Sequence, residues 1–464
     1  MVNQGEIEKR LDADFYSINL SKIALKTKDL GELIEFSKET WNQKDLFEET
    51  FPYIEISEIN IETGSLSEIK EIEIKNAPSR AKMLVRNNDI LVSTTRPNRG
   101  AIAHLNSLNR VSVASTGFSI LREVIDASIN KSFLFHILRS DFCLSQMLKH
   151  SSGGNYPAIT QEALKKIQIP LPPMEVQAHI VELMQDAHTT KQSKEAEATA
   201  LRQSIDAYVL EQLGITLPTV EKRLFFGVCS SQVEGSRLDP NGYSSFPQKL
   251  SKSLHEALYP AKPLQKIIVE SFSGDWGEEP FKEEFAHLEK IKVLRNTNFD
   301  NKDNLDLSDV AIRSFEKVKV LKKLLQQGDI LVEKSGGSPT QPVGRVAHVD
   351  KGEESYLFSN FLSVIRLTPS VNTFYIFVFL KVLYRTGLTE YMQNQTTGIK
   401  NLLWNDFVDI QIPLPPPPLQ NAIAEEVQAR LTRAKQLESE AKLALASAKA
   451  DVERLLFGEP SPSP

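Results

Sequence analysis

Two basic stretches carry the side chains best suited to chemistry with an anionic partner. In the first, Arg80, Lys82, Arg86, Arg96 and Arg99 surround a single acid, Asp89. In the second, Lys317, Lys319, Lys322, Lys323, Lys334 and Arg345 outnumber Glu316, Asp329 and Glu333. Cationic side chains beside a β-hairpin suit phosphate contact, and Arg can read guanine through two parallel hydrogen bonds. Polar loops containing glycine accompany them. Ser93–Gly100 and Ser335–Gln341 sit at equivalent hairpins, and Ser151–Tyr156 and Gln395–Asn401 form a second equivalent pair. Glycine lets a backbone approach a ligand closely, while Ser, Thr, Asn and Gln offer donors and acceptors to base edges. The residues expected at a nucleic-acid surface are Arg80, Lys82, Arg86, Arg96, Asn98, Arg99, Ser152, Asn155 and Tyr156 in the first half. In the second half they are Lys323, Lys334, Ser335, Ser338, Thr340, Gln341, Arg345, Thr396, Thr397 and Lys400.

Catalytic motifs are missing from the same sequence. There is no G-x-x-x-x-G-K-[ST] phosphate loop and no H-E-x-x-H. Phe272–Gly277 superficially resembles a glycine-rich methyl-donor loop, but no Asn-Pro-Pro-Tyr or Asp-Pro-Pro-Tyr stretch follows, so it reads as a turn. Glu73-Ile74-Lys75 has the tail of a nuclease carboxylate motif without its Pro-Asp partner. With Ile69, Ile72 and Ile74 in alternation it reads as the solvated face of a strand. His179 and His188 are too far apart along a helix to share a metal. No catalytic residue and no metal site are expected.

Composition narrows the class further. At 464 residues the chain has room for roughly three domains, and 41% hydrophobic with 25% charged residues is ordinary for a globular protein. The longest apolar run, Phe374–Leu380, stops at Lys381, far short of a bilayer span. The first residues contain no apolar export segment. Two cysteines, Cys143 and Cys229, make neither a disulfide framework nor a zinc site, which fits a reducing cytoplasm. A net charge of −6 argues against coating nucleic acid by bulk charge and leaves local basic patches as the route.

Positioning these residues falls to a duplication with a period near 243. Ile167–Pro173 (IQIPLPP) recurs unchanged as Ile410–Pro416. Gln177 and Ile180 match Gln420 and Ile423, and Asp89-Ile90-Leu91-Val92 matches Asp329-Ile330-Leu331-Val332. Ile129–Leu138 resembles Val371–Leu380, and Arg10-Leu11-Asp12 with Tyr16-Ser17 resembles Arg237-Leu238-Asp239 with Tyr243-Ser244. Each repeat runs through mixed strands and helices to a proline stop, then into a segment of about 40 residues with helical composition. Ile180, Met184, Ala187, Ala198, Leu201, Ile205 and Tyr208 make one apolar seam, interrupted by Lys191 and Lys194. Ile423, Val427, Ala434, Leu437, Ala441, Ala448, Val452 and Leu455 make the other. Gly214 and Gly458 sit where C-terminal caps belong. Two narrow seams of matching length are expected to pair as a long antiparallel or intertwined helix pair, the alternative being two independent amphipathic helices lying on their own domains.

The expected fold is α+β: two pseudo-repeated mixed α/β domains separated by a long antiparallel two-helix coiled coil. The boundaries expected are 1–170 for the first domain, 171–214 for the first long helix, 215–413 for the second domain and 414–464 for the second helix and tail.

Two divergent globular repeats, each ending in IPLPP-x-x-x-Q-x-x-I and a long helix, resemble the specificity (S) subunit of type I restriction–modification systems. The likeness covers nearly the whole chain. The family usually has Leu-x-Glu-Gln after the prolines. Here Met174-Glu175-Val176-Gln177 and Pro417-Pro418-Leu419-Gln420 depart from it but keep the Gln. The resemblance implies a non-catalytic targeting subunit whose repeats each read half of a bipartite double-stranded DNA site. It implies two modification (methyltransferase) subunits as partners, which carry S-adenosylmethionine, and restriction (endonuclease/translocase) subunits, which use ATP and Mg. This chain would bind no cofactor and would work in the cytoplasm, away from membranes. The alternatives are a specificity subunit of a fused methyltransferase–nuclease system, or a coiled-coil scaffold that does not bind DNA.

The helical segments set a test. About 40 residues at about 1.5 Å each span roughly 60 Å, at most about 18 base pairs of B-DNA. Because the lobes have width of their own, the unread spacer is expected to be about 5–8 base pairs. One added base pair rotates a half-site by about 35°, which a paired-helix rod resists. Binding assays on duplexes of graded spacer should show one permitted length; similar affinity across three consecutive lengths would show a flexible tether instead.

Overall fold

The computed structural model describes residues 25–41, 46–67, 69–219, 227–228, 244–300, 305–338, 341–350, 355–396 and 398–457. The chain divides into two compact units, Met1–Glu197 with Gln436–Pro464, and Ala198–Lys435. The openings at Arg10–Ser17 and Arg237–Tyr243, together with Cys229 and Gly458, lie outside the described residues.

In the first unit, β1 (Thr27–Asp29) and the single turn α1 (Leu30–Leu33) lead to β2 (Ile34–Ser37), β3 (Thr50–Ile54) and β4 (Lys70–Glu73). Next come β5 (Ala81–Val85), β6 (Ile90–Ser93), β7 (Ile102–His104), β8 (Ser112–Ser115) and β9 (Phe118–Val124). They form two four-stranded sheets, ordered β2-β9-β6-β7 and β4-β3-β8-β5. β4 stops at Glu73, and Ile74–Asn76 forms a 3₁₀ turn, so the Glu73-Ile74-Lys75 stretch is not one continuous strand as alternation suggested. Glu73 and Lys75 are exposed. The run Ile90–Ser93 is buried throughout because β6 is covered on both faces. Ile90 and Val92 join the core beneath α2 (Lys131–Leu138), while Leu91 joins a separate cluster with Ile54 and Ile120. After α3 (Asp141–Lys149) and α4 (Gln161–Leu164), the repeated Gln-Ile-Pro becomes β10 (Gln168–Pro170). It pairs only with β1, as its prolines require. Then α5 (Met174–Leu213) begins.

The second unit repeats this plan. α6 (Ser245–His255) precedes β11 (Ala261–Pro263), β12 (Ile268–Ser273), β13 (Glu289–Leu294) and β14 (Ala311–Phe315). The helix α7 (Lys317–Lys323) follows where the first unit has β5, so the second sheet keeps three strands. Onward lie β15 (Ile330–Glu333), β16 (Ser335–Gly336), β17 (Val346–His348), β18 (Tyr356–Phe358), β19 (Leu362–Leu367), α8 (Thr373–Arg385), β20 (Gln393–Thr396), β21 (Ile399–Leu402), α9 (Trp404–Val408), β22 (Gln411–Pro413) and α10 (Pro417–Phe457). The sheets are β12-β19-β15-β17, β14-β13-β18 and β16-β21-β20. Again β15 is two-faced: Ile330 and Val332 enter one core and Leu331 another.

Two polar devices recur in both units. Asp89, 1% exposed, grips Arg122 through Nε–Oδ1 at 3.1 Å and Nη2–Oδ2 at 3.0 Å. Asp329, 2% exposed, grips Arg366 in the same way at 2.9 and 3.2 Å. The second device is the Gln that follows each proline run. Gln177 accepts the Asn130 N–H at 2.8 Å and donates to the Pro172 and Ser128 carbonyls. Gln420 accepts the Asn372 N–H at 3.0 Å and donates to the Pro415 carbonyl. Asn130 and Asn372 cap α2 and α8. The retained Gln therefore ties the start of each long helix to the helix that covers its own sheet.

Both long helices contribute to both units. In the first, Ile180, Met184 and Ala187 pack with Leu445, Ala448, Val452 and Leu456. Lys194 reaches Glu440 at 2.5 Å, whereas His179 and Leu183 line a hollow with Asp451 and Arg454, so the segments run antiparallel. In the second, Ile205, Val209 and Leu213 share a core with Ile423, Ala424 and Val427. Arg430 donates to the Ser204 hydroxyl at 2.9 Å, and burial and then Glu426 raise the pKa of Tyr208, again an antiparallel order. The seam differs from expectation at several positions, and Val209 is buried where Tyr208 is half-buried. Leu455 is 43% exposed and Leu456 is buried in its stead. Lys191 does not break the seam; it is 6% exposed and paired with Glu62 at 3.2 Å and Glu195 at 2.7 Å. Gly214 caps α5 at φ +64°, where a Cβ would stand 2.4 Å from Leu258. No described helix is long and apolar enough to cross a membrane.

His136 on α2 and His188 on α5 stack with ring centroids 6.2 Å apart. Among the described residues, His136 Nδ1 and both His188 nitrogens have no hydrogen-bond partner. Burial, then the Arg139 charge, pushes His136 down to about 3 and His188 down to about 4 from the ordinary 6.5. The unfolded chain therefore binds protons below about 6.5 that the folded chain refuses, and stability should fall as pH drops from there toward 4. Denaturant midpoints measured across this range should decline, and the double variant His136→Phe, His188→Leu should flatten the decline.

Candidate nucleic-acid interface

Chain geometry brings the two glycine-containing loops of the first unit together. The β6–β7 connection meets the 151–158 loop through a bridge pairing Thr95 with Ala158, while Ser152 pairs with Ala158 inside that loop. The Arg96 N–H donates to the Pro157 carbonyl at 2.7 Å, and the Ile159 N–H donates to the Thr94 carbonyl at 2.9 Å. Arg96 takes φ +48° and ψ +52°, a left-handed conformation that costs a non-glycine residue about 1–3 kcal/mol. A single turn, Pro97–Arg99, follows and closes on Gly100 at φ +72°. Asn98, Arg99, Ser152 and Asn155 are exposed there, and the Arg96 guanidinium lies 4.2 Å from the centroid of the Tyr156 ring. Arg80 borders this cluster: its carbonyl accepts the Thr116 N–H, and the neighbouring Gly117 carbonyl accepts the Thr94 N–H. Lys82 and Arg86 are also exposed but lie along β5 and beyond it, and Arg86 pairs with Glu39 at 2.7 Å.

In the second unit the corresponding loops form the small sheet β16-β21-β20. Ser335 donates to Asn401 Oδ1 at 2.8 Å, and Lys400 Nζ donates to the Ser338 carbonyl at 2.6 Å. The Gln341 N–H turns back onto the Ser338 hydroxyl at 3.1 Å. Thr396 ends β20, while Thr340 and Thr397 lie outside the described residues. Lys334 Nζ donates to the Ser273 hydroxyl at 2.8 Å over a hollow of about 400 Å³ that Ser335, Ser363, Asn401 and Trp404 also line. Burial, then the Lys323 charge at the end of α7, lowers the pKa of Lys334.

Arg345 is held differently. Its Nε and Nη2 bond both oxygens of Glu333 at 2.8 Å, and further donors reach the Asn296 and Phe299 carbonyls. Glu333 is wholly buried. The equivalent ladder positions in the first unit are Ser93 and Ala101, so this ion pair belongs to the second unit alone. The sequence count took Glu333 and Asp329 merely as minority acids. Their partners Arg345 and Arg366 lie 12 and 37 residues away. The repeated Asp before Ile-Leu-Val was the available signal. Cys143 is buried, and its thiol is pushed up to about 12 by that burial. Among the described residues no group of three or more His, Cys, Asp or Glu could hold a metal.

Comparisons with known proteins agree with this duplicated design. Residues 23–203 and 268–445 match the family model of the type I restriction modification DNA specificity domain. Over 113 residues, 24% of this chain, the sequence is 26% identical to the type I restriction enzyme HindI specificity subunit of Haemophilus influenzae. That match spans only 24% of the relative's length. A chain solved in work on the complex assembly and conformational transition of the type I R-M system shares the fold. It has a TM-score of 0.56 and 20% identity, over 94% of this chain and 98% of that one. The crystal structure of the HsdS subunit from Thermoanaerobacter tengcongensis covers 94% and 97% at 20% identity, with a TM-score of 0.41.

The Glu333–Arg345 pair yields a stability test. Glu333→Ala leaves a desolvated guanidinium without its carboxylate, which should cost about 3–5 kcal/mol. A combined Glu333→Ser, Arg345→Ala variant, copying the first unit, should recover part of that loss in equilibrium denaturation.

Proposed function

The chain belongs to the type I restriction–modification DNA specificity family, and from that premise we propose that it is the non-catalytic, sequence-reading subunit of such a complex. The observation that carries the reading is the recurrence in each unit of a two-loop platform on a β-hairpin, rich in cationic and polar side chains. Each unit reads one half of a bipartite double-stranded DNA site. Arg80, Arg96, Asn98, Arg99, Ser152, Asn155 and Tyr156 serve the first half-site; Lys323, Lys334, Ser335, Ser338, Gln341 and Lys400 serve the second. Phosphate contacts hold the register and base-edge contacts select the sequence. The long helices α5 and α10 contribute to both units, set the spacer between half-sites and dock two methyltransferase subunits. S-adenosylmethionine chemistry belongs to those partners, and ATP-driven translocation and cleavage belong to restriction subunits.

Purified alone, the chain should show no methyl transfer; with its methyltransferase partner, methylation should appear at a two-part asymmetric site. Exchanging roughly residues 20–165 for the equivalent segment of another family member should change one half of that site and leave the other half intact. Robust methyl transfer by the isolated chain, or a change in both halves on exchange, would overturn this reading.

A further inference from the structure

Arg96 combines three features that occur together in no other described arginine of the first unit. Its backbone is left-handed at φ +48°, one of only two non-glycine residues with positive φ among those described. Its guanidinium is stacked 4.2 Å from the centroid of Tyr156, a ring that is 71% exposed. It has no carboxylate partner among the described residues, whereas Arg86, Arg110 and Arg122 are each paired with an acid.

The supporting structure is specific to this pose. The Arg96 N–H is held by the Pro157 carbonyl at 2.7 Å, and one Nη2 donor reaches the Asn155 carbonyl at 3.3 Å. Gly153, at φ +95°, lets the second loop fold back: a Cβ there would stand 2.9 Å from the Tyr156 carbonyl oxygen. Two loops thus hold one guanidinium over one aromatic ring. A phosphate contact has no need of this, since a flexible ammonium or guanidinium finds an anion from many directions. Two parallel hydrogen bonds to one base edge need a fixed plane, and a guanidinium stacked on a ring loses less rotamer freedom on binding.

We propose that Arg96, braced by Tyr156, is a specificity-determining residue that reads a guanine edge in the half-site of the first unit. The inference rests on the proposed DNA-reading function and adds to it the residue and the base. Arg96 presents paired N–H donors to guanine O6 and N7, the base edge whose two acceptors match the fork. Tyr156 acts as a positioning residue, filling the space beneath the guanidinium so that it cannot turn toward a phosphate.

The test uses the full chain assembled with its methyltransferase partner and a library of duplexes randomised over the modified site. Arg96→Ala should relax one G·C position of one half-site, with discrimination there falling by about 5- to 150-fold and all other positions unchanged. Arg96→Lys, which keeps the charge and loses the fork, should relax the same position. Tyr156→Phe should keep the wild-type motif, and Tyr156→Ala should weaken the same G·C position. Uniform loss across all duplexes in Arg96→Ala would make Arg96 a phosphate contact and overturn the proposal, as would an unchanged motif in Arg96→Ala. If the wild-type assembly selects no sequence at all, the functional reading itself falls, a result distinct from any confined to these variants. Thermal midpoints of the variants within a few degrees of wild type would confirm that the loop still folds.

Discussion

Every contact the loops could make depends on how rigidly each globular half is fixed to its long helix. The proline run just before that helix makes this a hydrogen-bond problem. The carbonyls of Pro172 and Pro415 lie at the helix entrance, and the N–H groups of Asn130 and Asn372 lie at the start of a second, buried helix. A buried carbonyl and a buried N–H each need a partner. One side-chain amide, fully enclosed, donates to the first and accepts from the second. A glutamate could not donate, and a leucine would orphan both groups. That is why Gln177 and Gln420 persist while the residues between them and the prolines differ.

Beyond that joint, the two halves share a frame and diverge at the tips. Both frames use a buried Asp–Arg fork beside a two-faced central strand. At the tips the first half spends backbone strain at Arg96, whereas the second uses Gly336 and Gly337 at φ +127° and +71°. The second adds the Glu333–Arg345 pair and the extra sheet β16-β21-β20. A constant frame with variable tips is what the proposed reading of two different half-sites requires, because the frame sets where a loop sits and the tip sets what it touches.

Much of this was legible in the sequence where the cause is local or repeated. The proline stop, the Asp-Ile-Leu-Val strand and the apolar seams follow from propensity, periodicity and self-comparison. What escaped was pairing over distance. Lys191 reads as an interruption of the seam because its partner Glu62 comes from a loop about 130 residues earlier. Leu455 and Leu456 are equivalent in composition, and only the accumulated rotation of the helix decides which is buried. α7 replaces β5 in a segment whose alternating Lys-Val-Lys-Val pattern looks like a strand, so tertiary context overrode the local signal.

Charge counting has the same weakness, and it bears on how an acidic chain could hold DNA. The first basic stretch counts five cations against one acid, yet Asp89 is spent on Arg122 and Arg86 is spent on Glu39. In the second, Arg345 is spent on Glu333. Among the described residues, the cations at the loops that hold no acid are Arg80, Arg96 and Arg99 in one half and Lys323, Lys334 and Lys400 in the other. If these carry the phosphate contacts, few counterions are displaced there, and this surface contributes modest affinity. A surface with that balance is better suited to selecting a site than to holding a duplex by charge.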